Sequence, residues 1–222
     1  MALIAKQLGA HEIFICNTSN IDSMRHGRPQ TVLIEQGMDL HNGAIVELLD
    51  TKETQANPEL DHVHGIKLDA AGQTSVVGKF IIVDPEINVE QYRRIDSSLA
   101  QFGTKPLEQN ATHTAYELQK LDRIEYSLAY FEGVQGVITA AEEQAELAGT
   151  DPVAAAQQAV ETFVGTITPG TKCNINDKGE LKTGGEALRV VSVRKQRIPL
   201  MMDANRNHLP EAYYMIKLEV IK

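Results

Sequence analysis

His62 and His64, in the run Asp61-His62-Val63-His64, are the residues whose types and spacing come nearest to chemistry. In an extended segment positions i and i+2 project to one side. Both imidazoles could therefore face a Zn²⁺ ion, with Asp61 or Asp69 beside them. Zinc takes three or four ligands in a set geometry, and only His41 offers itself as a further histidine. Solvated loop histidines are the simpler reading, so no metal is expected here.

A phosphate loop fails on spacing. In Gly72-Gln-Thr-Ser-Val-Val-Gly78-Lys79-Phe80 one residue too many separates the glycines, and Phe80 stands where a magnesium-binding Ser or Thr is required. No strained serine elbow, Cys–His signature or glycine-rich dinucleotide fingerprint occurs. Paired carboxylates such as Glu142 and Glu143 fall in an acidic helical stretch and read as a solvated face. The expectation is a protein without catalytic residues or cofactor. Two basic clusters remain as candidate partner-binding positions: Arg25 and Arg28 near the N-terminus, and Arg194, Lys195 and Arg197. The second is the sharpest charge contrast in the chain and could dock on an acidic protein surface, or be a solvated strand end. The first could be an arm that orders against a partner, or an ordinary surface loop.

Around these positions two β-rich stretches flank a helical middle. Residues 31–35 are rich in β-branched types, and Asn42-Gly43 suits the positive φ angles of a type I′ hairpin. Strands are expected at 44–49, 65–69 and 76–83, with a turn at Ala71-Gly72. After Asp84-Pro85 the period changes. Tyr92, Ile95, Leu99 and Phe102 fall at helical spacing, and Leu121, Ile124, Leu128 and Phe131 repeat it. The stretch 139–148 is rich in Ala and Glu. Asp151-Pro152 reads as an N-cap followed by a first-position proline, opening a helix to about Val164.

The second β stretch opens on Thr168-Pro169-Gly170, a type II turn candidate. A hairpin is expected from 173–175 and 180–183, then a strand at 187–193 after Gly184-Gly185. In the tail, Tyr214, Ile216, Leu218 and Val220 share one face and Lys217 and Glu219 the other, a half-buried strand. A short strand is also expected at 12–16. The fold class is therefore α+β, a β-rich scaffold (small barrel or sandwich) from N- and C-terminal strands with a helical insertion in the middle. Its parts are an N-terminal arm or strand at 1–30, one closed β scaffold from 31–85 and 166–222, and a helical subdomain or insertion at 86–165.

Composition bounds the function classes. The 222 residues carry a formal charge of −9 and 5% aromatics with no Trp, so the core is aliphatic. Direct nucleic-acid binding needs clustered Lys and Arg, which an acidic chain disfavours. Cys16 and Cys173 make no disulfide framework and are expected as reduced thiols. The N-terminus lacks the apolar core of a signal peptide, and no run reaches the ~18–20 apolar residues of a membrane span. The sequons at Asn17 and Asn110 mean little without secretion, and synthesis in a cytoplasm is expected.

Three segments carry a resemblance: His41-Asn42-Gly43-Ala44-Ile45-Val46-Glu47-Leu48, a turn opening a strand; His64-Gly65-Ile66-Lys67-Leu68; and Lys79-Phe80-Ile81-Ile82-Val83-Asp84-Pro85-Glu86, a strand ended by proline. With 188–193 and 212–221 downstream, their order resembles that of tailed-bacteriophage capsid decoration, or cement, proteins. The similarity covers about half of the chain, and the long helical interval departs from the more compact family members. The resemblance implies a structural virion protein, not an enzyme, with the major capsid protein as its partner. It would sit on the capsid surface, assemble in the host bacterial cytoplasm and form a homo-oligomer, a trimer before other states. Modest contacts repeated over a lattice add through multivalency. The alternatives are a connector or tail component, a metal-assisted enzyme using Asp61, His62 and His64, and a cytosolic ligand-binding domain with a deep apolar pocket.

Overall fold

The computed structural model describes residues 16–21, 29–51, 63–68, 75–83, 107–176, 178–197 and 212–222. Strands β1 (Cys16–Asn20), β2 (Pro29–Leu33), β3 (Ile45–Thr51), β4 (Val63–Lys67), β5 (Phe80–Ile82), β6 (Thr112–Glu117) and β7 (Arg123–Ser127) come first. A 3-10 turn (Leu128–Tyr130) leads into α1 (Val134–Ala148) and α2 (Pro152–Gly165). Four strands follow: β8 (Lys172–Ile175), β9 (Leu181–Thr183), β10 (Leu188–Arg197) and β11 (Ala212–Val220).

The strands form two units, a closed barrel in the order β2-β4-β3-β5-β6 and a six-stranded sheet in the order β1-β7-β11-β10-β8-β9. The barrel pairs are antiparallel except β2 with β4. The α+β class and the β-rich scaffold hold, with two helices between β7 and β8. The single closed scaffold does not. The N-terminal strands close on themselves by recruiting β6, and the tail strand β11 joins the other sheet between β7 and β10.

Both β6 and β7 come from the interval read as helical. The spacing of Leu121, Ile124, Leu128 and Phe131 imitates a helix because the four are placed for different reasons. Ile124 faces the core from β7, Leu128 lies in the 3-10 turn, and Phe131 bridges to Leu181. Leu121 is 65% exposed in a turn with φ +78°. The alternation of Arg123-Ile124-Glu125-Tyr126-Ser127 is present in β7, but it spans only five residues and the longer apolar spacing from 121 to 131 outweighs it. Tyr92, Ile95, Leu99 and Phe102 lie outside the described residues, as do Ala71-Gly72 and residues 12–15 of the expected first strand.

Alternation of side chains explains why the short strand β5 is apolar at every position. Phe80 and Ile82 of β5 pack in the barrel interior with Val32, Val46, Ile66 and Ala115, while Ile81 points outward into the larger core. Ile45 lies opposite Ile81, and Ile81 opposite Tyr116. That row lays an apolar stripe across three barrel strands against the core that also holds Ile124, Tyr126, Ile216 and Leu218. Burying an aliphatic side chain such as Ile81 contributes about 1.5–3 kcal/mol.

The helices share the inner face of the sheet with the barrel. Val134, Ile138 and Ala145 of α1, and Ala156, Val160 and Val164 of α2, are the buried positions, at the three-to-four spacing of an amphipathic helix. Asp151 caps α2 as expected, its Oδ1 accepting from Val153 N at 2.9 Å, with Pro152 at the first position. The Thr168-Pro169-Gly170 turn forms as expected, with Thr171 N bonding Thr168 O at 2.9 Å and φ +94° at Gly170. The 173–183 hairpin also forms.

The joint between barrel and sheet is the Asn42-Gly43 turn. Ala44 N donates to His41 O at 3.0 Å. Gly43 has φ +93°, and Asn42 is not among the positive-φ residues, so the turn has the type II pattern rather than type I′. Gly43 N donates to Ile82 O at 2.7 Å. From the sheet side the Tyr126 hydroxyl donates to Gly43 O at 2.8 Å, and the Tyr130 hydroxyl donates to Asn42 O. The two rings meet at 4.7 Å between centroids, tilted by 58°. A Cβ on Gly43 would lie 2.6 Å from Cys16 Cβ and 2.7 Å from its Sγ.

Gly37 offers a control, since its φ is +92° and no atom lies within 4 Å of an added Cβ. Gly37→Ala carries only the backbone strain of about 1–2 kcal/mol, whereas Gly43→Ala adds overpacking of about 1–3 kcal/mol. Denaturant unfolding of both variants should show Gly43→Ala as the weaker protein by that second amount; equal losses would remove the joint from this account.

Candidate functional site

The face of the sheet turned away from the helices carries an ordered array of charge. Strand alternation puts Arg123 and Glu125 of β7, Lys217 and Glu219 of β11, Arg189 and Arg194 of β10, and Lys172 of β8 on that side. Register assembles them in rows: Lys172 opposite Arg189, Arg189 opposite Glu219, Glu219 opposite Arg123. In the next row Ser192 lies opposite Lys217 and Lys217 opposite Glu125. A bulge in β10 between Val190 and Ser192 brings Arg194 to the same side.

The carboxylates sit low and the cations stand over them. Glu219 accepts from Arg189 at 2.5 Å and from Arg123 at 3.0–3.1 Å. Glu125 meets Arg194 at 2.6 Å and Lys217 at 3.6 Å. The Glu219 and Glu125 side chains are 5% and 11% exposed, while those of Arg123, Arg189 and Arg194 are each about half exposed. A carboxylate this covered is tolerated only when paired, and each here has two cations. The surface offered outward is positive in a chain of net charge −9.

Two of the five partner-binding candidates lie in the described part in full, on opposite faces of β10. Arg194 belongs to the array. Lys195 points to the helix side, where it bonds Glu161 of α2 at 2.9 Å and its ammonium lies 5.5 Å from the Tyr214 ring centroid. The Glu161 bond and the neighbouring phenol hold that ammonium's pKa above the usual lysine value. The structure therefore does not join them in one patch. Arg197 ends β10, with its side chain outside the description, and Arg25 and Arg28 lie outside the described residues.

Of the zinc candidates, Asp61 and His62 fall outside the described residues, and so does Asp69. His64 lies on β4, its Nδ1 3.0 Å from Leu49 O. Among the described residues no three His, Cys, Asp or Glu side chains group as metal ligands. Cys16 and Cys173 form no disulfide, and burial pushes the Cys173 thiol up to about 11. Among the described residues no helix is long and apolar enough to cross a membrane.

Two depressions lie elsewhere on the described surface. A cleft of about 430 Å³ lies between the His41 turn and the β8–β9 hairpin, with Asp39, His41, Tyr130, Lys178 and Glu180 in its wall. A shallow groove of about 620 Å³ runs between α1 and α2 over Ala141, Ala145, Ala155 and Ala159.

The array was missed in the sequence because its partners are far apart: Arg123 and Glu219 are 96 residues from each other. Only the alternation of Lys217 and Glu219 against the apolar face of β11 pointed to it.

Glu219 contributes to the acid limb of stability. Its pKa lies below the ordinary carboxylate value, first because of the Arg189 hydrogen bond, with burial opposing and Arg123 adding to the lowering. The stabilisation is complete above the unfolded value of about 4.3 and is lost as pH falls through the lower folded value. Glu219→Gln should cost about 1–2 kcal/mol at pH 7, a modest figure because both arginines are half in water. Urea unfolding from pH 7 to pH 3 should then show a shallower decline than wild type; parallel curves would contradict the assignment. No protein family, curated protein or solved structure matches this chain, so its function is read from this geometry.

Proposed function

We propose that the chain is a structural virion protein of the capsid decoration kind, which binds the outer surface of a major capsid protein lattice and stabilises it. The observation that supports this reading is the relation among the three segments that carry the family resemblance. The strand portions of 41–48, 64–68 and 79–86 are β3, β4 and β5, neighbours in the order β4-β3-β5 of one closed barrel. Segments scattered over the first 86 residues thus make one contiguous unit.

The physical task of such a protein is to resist shear between neighbouring subunits. A closed barrel has no free edge to slip, and here it is held to a second sheet by the Tyr126 and Tyr130 hydroxyl bonds on the Asn42-Gly43 turn. Loads on one unit pass to the other through a packed core. Each copy then needs only a modest contact, since a lattice repeats it.

The test is binding to capsids that lack the protein. Purified protein should co-sediment with them and raise their resistance to heat or to chelation. Absence of both effects overturns the proposal. Gold-labelled protein should cover the shell in electron micrographs, and label confined to one vertex would mean a connector instead.

A further inference from the structure

The two sides of the six-stranded sheet carry opposite charge. On the inner side, beside the barrel, lie α1 and α2, tied to the sheet by the buried positions above and by the Glu161–Lys195 pair. Residues 134–165 contain Glu142, Glu143, Glu146, Asp151 and Glu161 but no Lys or Arg. Glu143 falls nine residues after Val134, roughly half a turn round from the buried stripe, so it points away from the sheet. Glu146 is exposed beside it, and Leu147 is 90% exposed. On the outer side stand Lys172, Arg189, Arg194, Arg123 and Lys217, above two covered carboxylates.

We propose that the cationic sheet face of one copy docks on the acidic helical layer of a second copy, head to tail. The complementarity is between two surfaces of the same molecule, so every copy carries both halves of the contact. Because the halves lie on opposite sides of one sheet, the contact is heterologous and leaves a free face at each end, which propagates into a stack rather than closing a two-fold dimer. The submerged Glu125 and Glu219 matter here: an arriving carboxylate meets guanidinium groups held in place, with their own partners beneath them. Exposed apolar side chains on the helical layer, Val137 at 42% and Leu147, lie where the stack would cover them.

Ionic strength has a specific signature. Copies of net charge −9 repel at long range, and at 0.1 M salt the screening length of about 10 Å suppresses that repulsion while facing groups within a few ångström still attract. Association is therefore expected near 0.1 M and lost by 0.5 M NaCl. This proposal stands apart from the capsid reading and survives its failure.

Sedimentation equilibrium of the full chain tests it. At 0.1 M NaCl the weight-average mass should rise with concentration above the single-chain 24.4 kDa, and return to that value at 0.5 M. Two double variants reverse one face each: Glu143→Lys with Glu146→Lys, and Lys172→Glu with Arg194→Glu. Each alone should lose association at least tenfold, and an equimolar mixture should regain it, because each then supplies the face the other lacks. Circular dichroism checks folding. Should Arg194→Glu unfold the chain, Lys172→Glu alone serves, since Lys172 is exposed and contributes to neither covered pair. A wild type that stays at single-chain mass, variants that associate unchanged, or a folded mixture that fails to recover overturns the proposal. Retention of duplex DNA by a wild type that remains single would equally overturn it, assigning the cationic face to nucleic acid.

Discussion

Where the barrel meets the sheet, the chain passes through a point with no room for a single extra carbon. Gly43 lies against Cys16 from β1 and Tyr126 from β7, while its carbonyl and that of Asn42 accept the two tyrosine hydroxyls. A buried carbonyl left unpaired costs about 1–3 kcal/mol, so the hydroxyls are structural requirements rather than decoration. Burial raises the Tyr126 phenol well above its ordinary pKa, with Cys16 and Tyr130 adding to the shift, which keeps it protonated as a donor. The rest follows from this contact. With the turn pinned, Ile45 and Ile81 are presented to the sheet and Val46 and Ile82 to the barrel interior.

Features legible in the sequence were those decided locally. The Asp151 cap, the Pro169-Gly170 turn, the 173–183 hairpin and the alternation along β11 depend on residues within one turn or one strand of each other. The Asn42-Gly43 turn was found, but its type was not, because the type depends on what Gly43 abuts across the molecule. The misreading of residues 121–131 has another origin. The alternation of β7 is only five residues long, and the apolar residues on either side of it, in a turn and a 3-10 turn, fall by chance at helical spacing. The charged array needed the pairing of β7, β11, β10 and β8, which no local pattern specifies. Arg194 and Lys195, adjacent in sequence, looked like one patch and are separated by the thickness of the sheet.

The sheet also explains how an acidic protein keeps a positive face. Glu125 and Glu219 lie covered, neutralising cations from three different strands, while the helical layer carries carboxylates and no Lys or Arg. Charge is sorted by layer rather than by segment of chain. Net charge alone argued against direct nucleic-acid binding, and it hid a local cationic face that the layered arrangement reveals.

Strand β11 occupies the middle of its sheet, hydrogen-bonded to β7 on one side and β10 on the other, yet it is made after every other described strand of that sheet. The barrel has all its strands once residue 117 has been added. During vectorial synthesis the barrel can therefore close about a hundred residues before the sheet has its centre. Through that interval the core facing the stripe of Ile45, Ile81 and Tyr116 lacks Ile216, Leu218 and Val220 of β11. Transiently bare apolar surface is where aggregation starts. The order of the strands along the chain makes the nascent protein most vulnerable after its first unit is complete, and ties the safety of that unit to the speed with which β11 arrives.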